Sequence, residues 1–296
     1  MGKIENLYIN HYKRLLIIPL ILLIVSLAVL GFNYYKTGTF IKKDVSLQGG
    51  ISVTITSDKS FDIDNIKKAL QEKFPDSDIS IRELADFSTA KKIGIITEMS
   101  NVKGPEVTPV LSSILKIELT DKNYSIEEVG SSLGTSFFKE MVIAVIFSLL
   151  FMAIVVFITF RKLIPSIAVI SSIILELITT LAILSILDFR ISSAGIAALL
   201  MVMGYSIDTD ILLTTRVLKR DTGTLFERIK GAVKTGVTMT LTTIVVSILM
   251  MFSPASVLRQ MFTIIFIALI VDLISTWVMN AGLLIWYLDR KKKSEV

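Results

Sequence analysis

Residues 204–215 read GYSIDTDILLTT. They continue the apolar run SSAGIAALLMVM (192–203), and the two together are long enough to cross a bilayer as a helix. Asp208 and Asp210 are set into that segment. An ionised carboxylate near the centre of a membrane helix is disfavoured by about 2.5–3.5 kcal/mol on insertion scales. Acids placed there face protein or water rather than lipid, so they mark a functional position.

The rest of the chain is as apolar as this stretch. Of 296 residues, 52% are hydrophobic, which indicates a membrane protein rather than a soluble domain. Further apolar runs lie at 15–32, 141–160, 163–187, 235–252 and 261–288, giving six spans with the run at 191–215. The first follows Lys13 and Arg14 but is long for a signal peptide and lacks a small-residue cleavage site, so it reads as a retained anchor. There is no Cys, which excludes disulfides and thiol chemistry, and the single His11 reads as a ring at the membrane surface. No metal site or cofactor motif is legible.

Basic residues set the orientation. Lys3, Lys13 and Arg14 precede span one, and Arg161 and Lys162 fill the turn after span two. Arg216, Lys219, Arg220, Arg228, Lys230 and Lys234 separate spans four and five, and Arg290 to Lys293 follow span six. The opposite short loops carry only Arg190 and Arg259. The positive-inside rule then places both termini in the cytoplasm of a multi-pass cell-membrane protein. It also accounts for the net charge of +5 without nucleic acid, since juxtamembrane cations meet anionic lipid.

The long segment after span one alternates charged and apolar residues. GISVTI (50–55), DISIRELA (78–85), KKIGIITEM (91–99) and YSIEEVG (124–130) read as strands. Residues 62–74 and 105–119 read as helices, the first capped by Asp62 and the second opening at Pro105. The order β-α-β-β-α-β is a ferredoxin-like pattern. The expected plan is a cytoplasmic N-terminus (1–14), span one (15–32), an extracytoplasmic α+β domain (33–137), spans two to six (138–288) and a basic cytoplasmic tail (289–296).

Each acid within a span is a candidate for ion coupling. Asp208 and Asp210 are about 200° apart around a helix and cannot both face one partner. Asp208, the deeper, is expected to face the bundle interior, with Lys234 the nearest cation to oppose it. Glu176 in span three and Asp272 in span six are further candidates. Gly204 is expected to allow close helix approach, and Thr235, Thr238 and Thr242 to pack or to line a polar path in span five.

The motif GYSIDTDILLTTRV resembles span four of SecF, a subunit of the Sec protein-export machinery within the RND transporter superfamily. DVSLQGG (44–50), VGSSLGTSF (129–137) and the Thr-rich TMTLTT resemble further SecF segments. The six-span layout with a domain after span one also matches. The resemblance implies an RND-type half that works with a SecD-like subunit beside the Sec channel, drawing a translocating polypeptide outward on an ion gradient. It implies no enzymatic activity. Bacterial forms read Asn-Asp where this chain has Asp208 and Thr209, followed by Asp210, and carry Arg where this chain has Thr235. With WVMNAG (277–282), the pattern looks like the archaeal branch. The alternatives are half of another RND-type permease, exporting lipid or small molecules, and an intramembrane aspartyl protease pairing Asp208 with Asp272. A scaffold without ion coupling is a third.

Overall fold

The chain alternates helices too apolar to face water with one segment patterned for a sheet, and a computed structural model shows how the two are joined. It describes residues 8, 11–57, 59, 61–85, 92–120, 123–219, 223–253 and 255–294. Lys3, Lys91 and Arg220, counted in the reading above, lie outside them. Among the described residues, six helices are long and apolar enough to cross a membrane: Tyr12–Thr37, Ser131–Phe160, Leu163–Ile186, Ser193–Lys219, Leu225–Met251 and Val257–Lys291.

In chain order the elements begin with α1 (Tyr12–Leu15) and α2 (Ile17–Thr37), which form span one. The break between them has a chemical cause. Pro19 has no N–H to donate to the Leu15 carbonyl, so the helical ladder is interrupted there. The domain comprises α3 (Val45–Gln48), β1 (Gly50–Thr56), α4 (Ile63–Lys73), β2 (Ile79–Ala85), β3 (Lys92–Met99), α5 (Gly104–Leu115) and β4 (Tyr124–Val129). Spans two to five are α6 (Ser131–Phe160), α7 (Leu163–Ile186), α8 (Ser193–Lys219) and α9 (Leu225–Met251). Span six is α10 (Ser256–Ile274), a π-helical turn (Ser275–Asn280) and α11 (Ala281–Ser294).

The four strands form an antiparallel sheet in the order β2-β3-β1-β4, the ferredoxin-like arrangement. Ile51, Val53 and Ile55 of β1 alternate inward and meet Leu70 of α4 and Val107 and Leu111 of α5 in one core. Asp62 caps α4 as its position implied, its carboxylate accepting from the Asn65 N–H at 3.2 Å.

Several boundaries differ from the sequence reading. The second domain helix stops at Leu115 instead of continuing to 119. Lys116 adopts a left-handed conformation (φ 53°), and the Ser112 hydroxyl donates to the Ile117 carbonyl at 2.7 Å, turning the chain away. Span one continues past Phe32 to Thr37, and span two begins at Ser131. Span five begins at Leu225, ahead of the apolar run at 235, because Thr224 and Glu227 form a capping box and the amphipathic segment between extends the same helix.

The first of the paired glycines is needed where the domain meets span two. Gly49 has φ 84°, and a Cβ on it would lie 2.3 Å from the Ser131 Cα. The domain is also tied to the loop between spans three and four. The Asp44 N–H donates to the Ile191 carbonyl and the Ile191 N–H to the Lys42 carbonyl, both at 2.9 Å. Arg190 donates to Asp78 at 2.7 Å. Nearby, Arg82 pairs with the buried Glu98. Burial, and then the Asp44 charge, push the Glu98 carboxyl above its ordinary pKa, with Arg82 and Arg190 pulling partly back.

Spans three, four and six form the buried centre of the bundle. Spans one, two and five expose Leu, Ile, Val and Phe on their outer faces, as expected of helices whose solvent is hydrocarbon.

Candidate ion-coupling site

Span four shows why one acid of the motif is buried and the other is not. Leu199, Val202, Met203, Ser206, Asp210, Leu213 and Val217 recur at three- and four-residue spacing and all face the bundle. Asp210 is fully buried. Ala197, Met201, Gly204 and Asp208 recur at the same spacing on the opposite, exposed face. The expectation that Asp208 points inward is therefore corrected. The register of the apolar positions on either side puts Asp210 in line with the core stripe and Asp208 outside it.

Asp210 meets span six. The Asn280 amide Nδ2 donates to Asp210 Oδ1 at 2.8 Å. One turn earlier on span four, the Ser206 hydroxyl donates to Asp272 Oδ1 at 2.7 Å, and the Thr276 hydroxyl donates to the same oxygen at 2.9 Å. Asp272, Thr276 and Asn280 are spaced four apart on span six. In an uninterrupted α-helix, residues eight apart are rotated about 80° from each other. The wider π turn at Ser275–Asn280 takes up part of that rotation, so that Asp272 and Asn280 both face span four.

Glu176 completes the cluster from span three. It is buried, within electrostatic reach of Asp272 and Asp210, and faces the Ser206 hydroxyl. Ser172 and Thr276 border Asp210. Buried carboxyls and hydroxyls from three spans thus meet within an otherwise apolar bundle, where polar groups are costly unless they serve one another.

The remaining sequence candidates fall elsewhere. Lys234 is exposed and makes no ion pair among the described residues, so it does not oppose Asp208. Thr238 and Thr242 are exposed, away from the buried acids, and their hydroxyls donate to carbonyls of their own helix at 2.7 and 2.8 Å. Thr235 is half-buried and accepts from Arg216 at 2.9 Å. Gly204 makes no close contact within this chain, since nothing lies within 4 Å of a Cβ built on it. Close helix approach belongs to Gly195, whose Cβ would meet Ile264, and to Gly236, whose Cβ would lie 2.3 Å from the Trp277 ring. The protease pairing of Asp208 with Asp272 is absent, because the two lie on opposite sides of span four's packed face. Ser206, Thr276 and Asn280 were missed. Their signal was the four-residue spacing from Asp210 and Asp272.

Comparison with known proteins agrees with this architecture. Residues 111–290 match the family described as "Protein export membrane protein SecD/SecF, C-terminal". The protein-export membrane protein SecF of Methanocaldococcus jannaschii is 38% identical, over 97% of this chain and 100% of its own length. SecF of Methanolacinia petrolearia is 34% identical over 96% of this chain and 98% of its own length. Among solved structures, SecDF from Thermus thermophilus, a translocon-associated membrane protein, superposes over 95% of this chain with a TM-score of 0.75 at 18% identity. This chain spans 38% of that SecDF chain, which establishes the shared fold. Extent of identity, six spans and domain order together show that the chain belongs to the SecF family of protein-export membrane proteins.

Proposed function

We propose that this protein is an accessory subunit of the Sec protein-export machinery, pairing with a SecD-like subunit beside the translocation channel. Ion flow through the Glu176–Asp210–Asp272 cluster drives its domain, which pulls on the translocating polypeptide. Both termini are cytoplasmic in this reading and the domain is outside. The observation that carries it is the cluster itself: three buried carboxyls from three spans, with no basic side chain ion-paired to any of them among the described residues. Three negative charges in one low-dielectric compartment repel strongly, so protonation or cation entry at one changes the balance at the others. Span four begins directly after Ile191 and Ser192, where the domain is hydrogen-bonded to the bundle. A shift of span four is thereby transmitted to the domain.

The partner is supported by the other face of span four. Ala197, Met201, Gly204 and Asp208 form the exposed face of span four, and a carboxylate facing hydrocarbon is costly. A second repeat laid along this face removes Asp208 from lipid. Since the chain has no Cys, single cysteines report contacts cleanly. Met201→Cys, treated with a thiol crosslinker in native membranes, is expected to capture a SecD-like subunit, whereas Val246→Cys on span five does not. Equal capture from both positions, or none from Met201→Cys, overturns the pairing. Capture of lipid-export components alone favours the permease alternative.

A further inference from the structure

A cavity of about 440 Å³ lies at the domain end of the bundle, apart from the acid cluster. It is lined by Tyr34 near the end of span one, Phe40 just after it, Val145 of span two, Leu177 of span three and Ile196 of span four, with Leu47 of α3. The volume falls within the roughly 300–1,000 Å³ range of sites that bind small molecules. Its walls are apolar. Val142 and Ile146 of span two stand at its rim and are exposed on the lipid-facing side, so the cavity opens toward hydrocarbon rather than toward water.

Two cations sit at its mouth. Lys42 and Lys43 both line it. Lys42 is ion-paired to Asp188 at 2.6 Å. The Lys43 ammonium has no acidic partner among the described residues and rests 3.8 Å from the centroid of the Phe138 ring, itself part of the lining. An unpaired cation above a hydrocarbon-accessible slot is complementary to one kind of molecule, which carries a negative headgroup above an apolar chain. The aromatic contact holds the Lys43 charge over the opening.

We infer that this cavity is a binding site for an anionic lipid of the leaflet on the domain side, with a hydrocarbon chain between spans two, three and four and its phosphate on Lys43. The site borders the segment 41–44, through which the domain is hydrogen-bonded to Ile191, so an occupied cavity braces the domain against the bundle.

The test uses the full-length chain purified in mild detergent, with lipid retention measured by native mass spectrometry. Phosphatidylglycerol and phosphatidylcholine with identical acyl chains are titrated in turn. Phosphatidylglycerol is expected to be retained about fivefold more tightly, the factor corresponding to one cation at a membrane surface. Lys43→Gln should bring it to the level of phosphatidylcholine, and Val145→Trp, which fills the slot, should reduce retention of both. Leu249→Trp, on the exposed face of span five, should change neither. Should Val145→Trp fail to fold, Lys43→Glu carries the test, since its side chain is not packed in the core. Equal retention of the two lipids by the wild type, or unchanged phosphatidylglycerol retention in Lys43→Gln, overturns the site. Displacement by glycerol phosphate lacking chains would also overturn it, because the apolar slot would then play no part.

Discussion

Asn280 donates to Asp210 at 2.8 Å across the interface between spans six and four. Asn280→Ala removes this donor from a fully buried acid. Hydrogen bonds to charged groups contribute about 1.5–3 kcal/mol, so any step that needs Asp210 ionised is disfavoured by roughly ten- to a hundredfold. Gradient-stimulated export should fall by about that factor, with recovery of the partner subunit unchanged. An export assay run alongside copurification checks both. Loss of partner recovery would show instead that Asn280 serves assembly.

Gly236 and Trp277 set the closeness of spans five and six. A Cβ at Gly236 would lie 2.3 Å from the indole Cζ2, and the ring is buried in the π turn that orients Asn280. Gly236→Ala is expected to destabilise the bundle by about 1–3 kcal/mol through overpacking, seen as a lowered melting temperature in detergent. Gly204→Ala is the matched control. With open space around it, the substitution should be neutral or slightly stabilising by helix propensity.

The junction between domain and membrane should respond to pH through Glu98. Its carboxyl is raised above the ordinary value in the folded protein, mainly by burial. Between the ordinary carboxylate pKa and the raised one, the folded state holds a proton that the unfolded chain has released. Stability therefore falls as pH rises through that window and is greatest below it. Glu98→Gln removes the titrating group and should flatten this slope in thermal melts recorded from pH 4 to pH 7. An unchanged slope would assign the pH dependence to other groups.

Much of the fold could be read directly, because hydrophobic periodicity reports which solvent each segment faces. The six spans and the β-α-β-β-α-β order follow from it. Helix ends were harder to place, because they depend on local hydrogen bonds such as Thr224 with Glu227 or Ser112 with Ile117. The site was legible in part. Glu176, Asp210 and Asp272 stood out as charges in apolar runs, and all three are buried together. Asp208 differs from expectation because rotation about the helix, not depth along it, decides which acid is buried. Counting in fours from Ser206 to Asp210 to Thr214 would have placed Asp210 inward. Asn280, eight residues from Asp272, is not aligned with it by α-helical counting alone, because the π turn changes the register within span six.

If Asp210 couples an ion gradient to export, its charge is what the gradient acts through. The decisive assay uses membrane vesicles containing the partner subunit and the translocation channel, given a defined ion gradient and a secretory substrate. Asp210→Asn keeps the shape of the side chain but removes the charge. This variant should lose the gradient-dependent part of export and keep the gradient-independent part. Full stimulation by the gradient in Asp210→Asn vesicles would show that Asp210 carries no coupling.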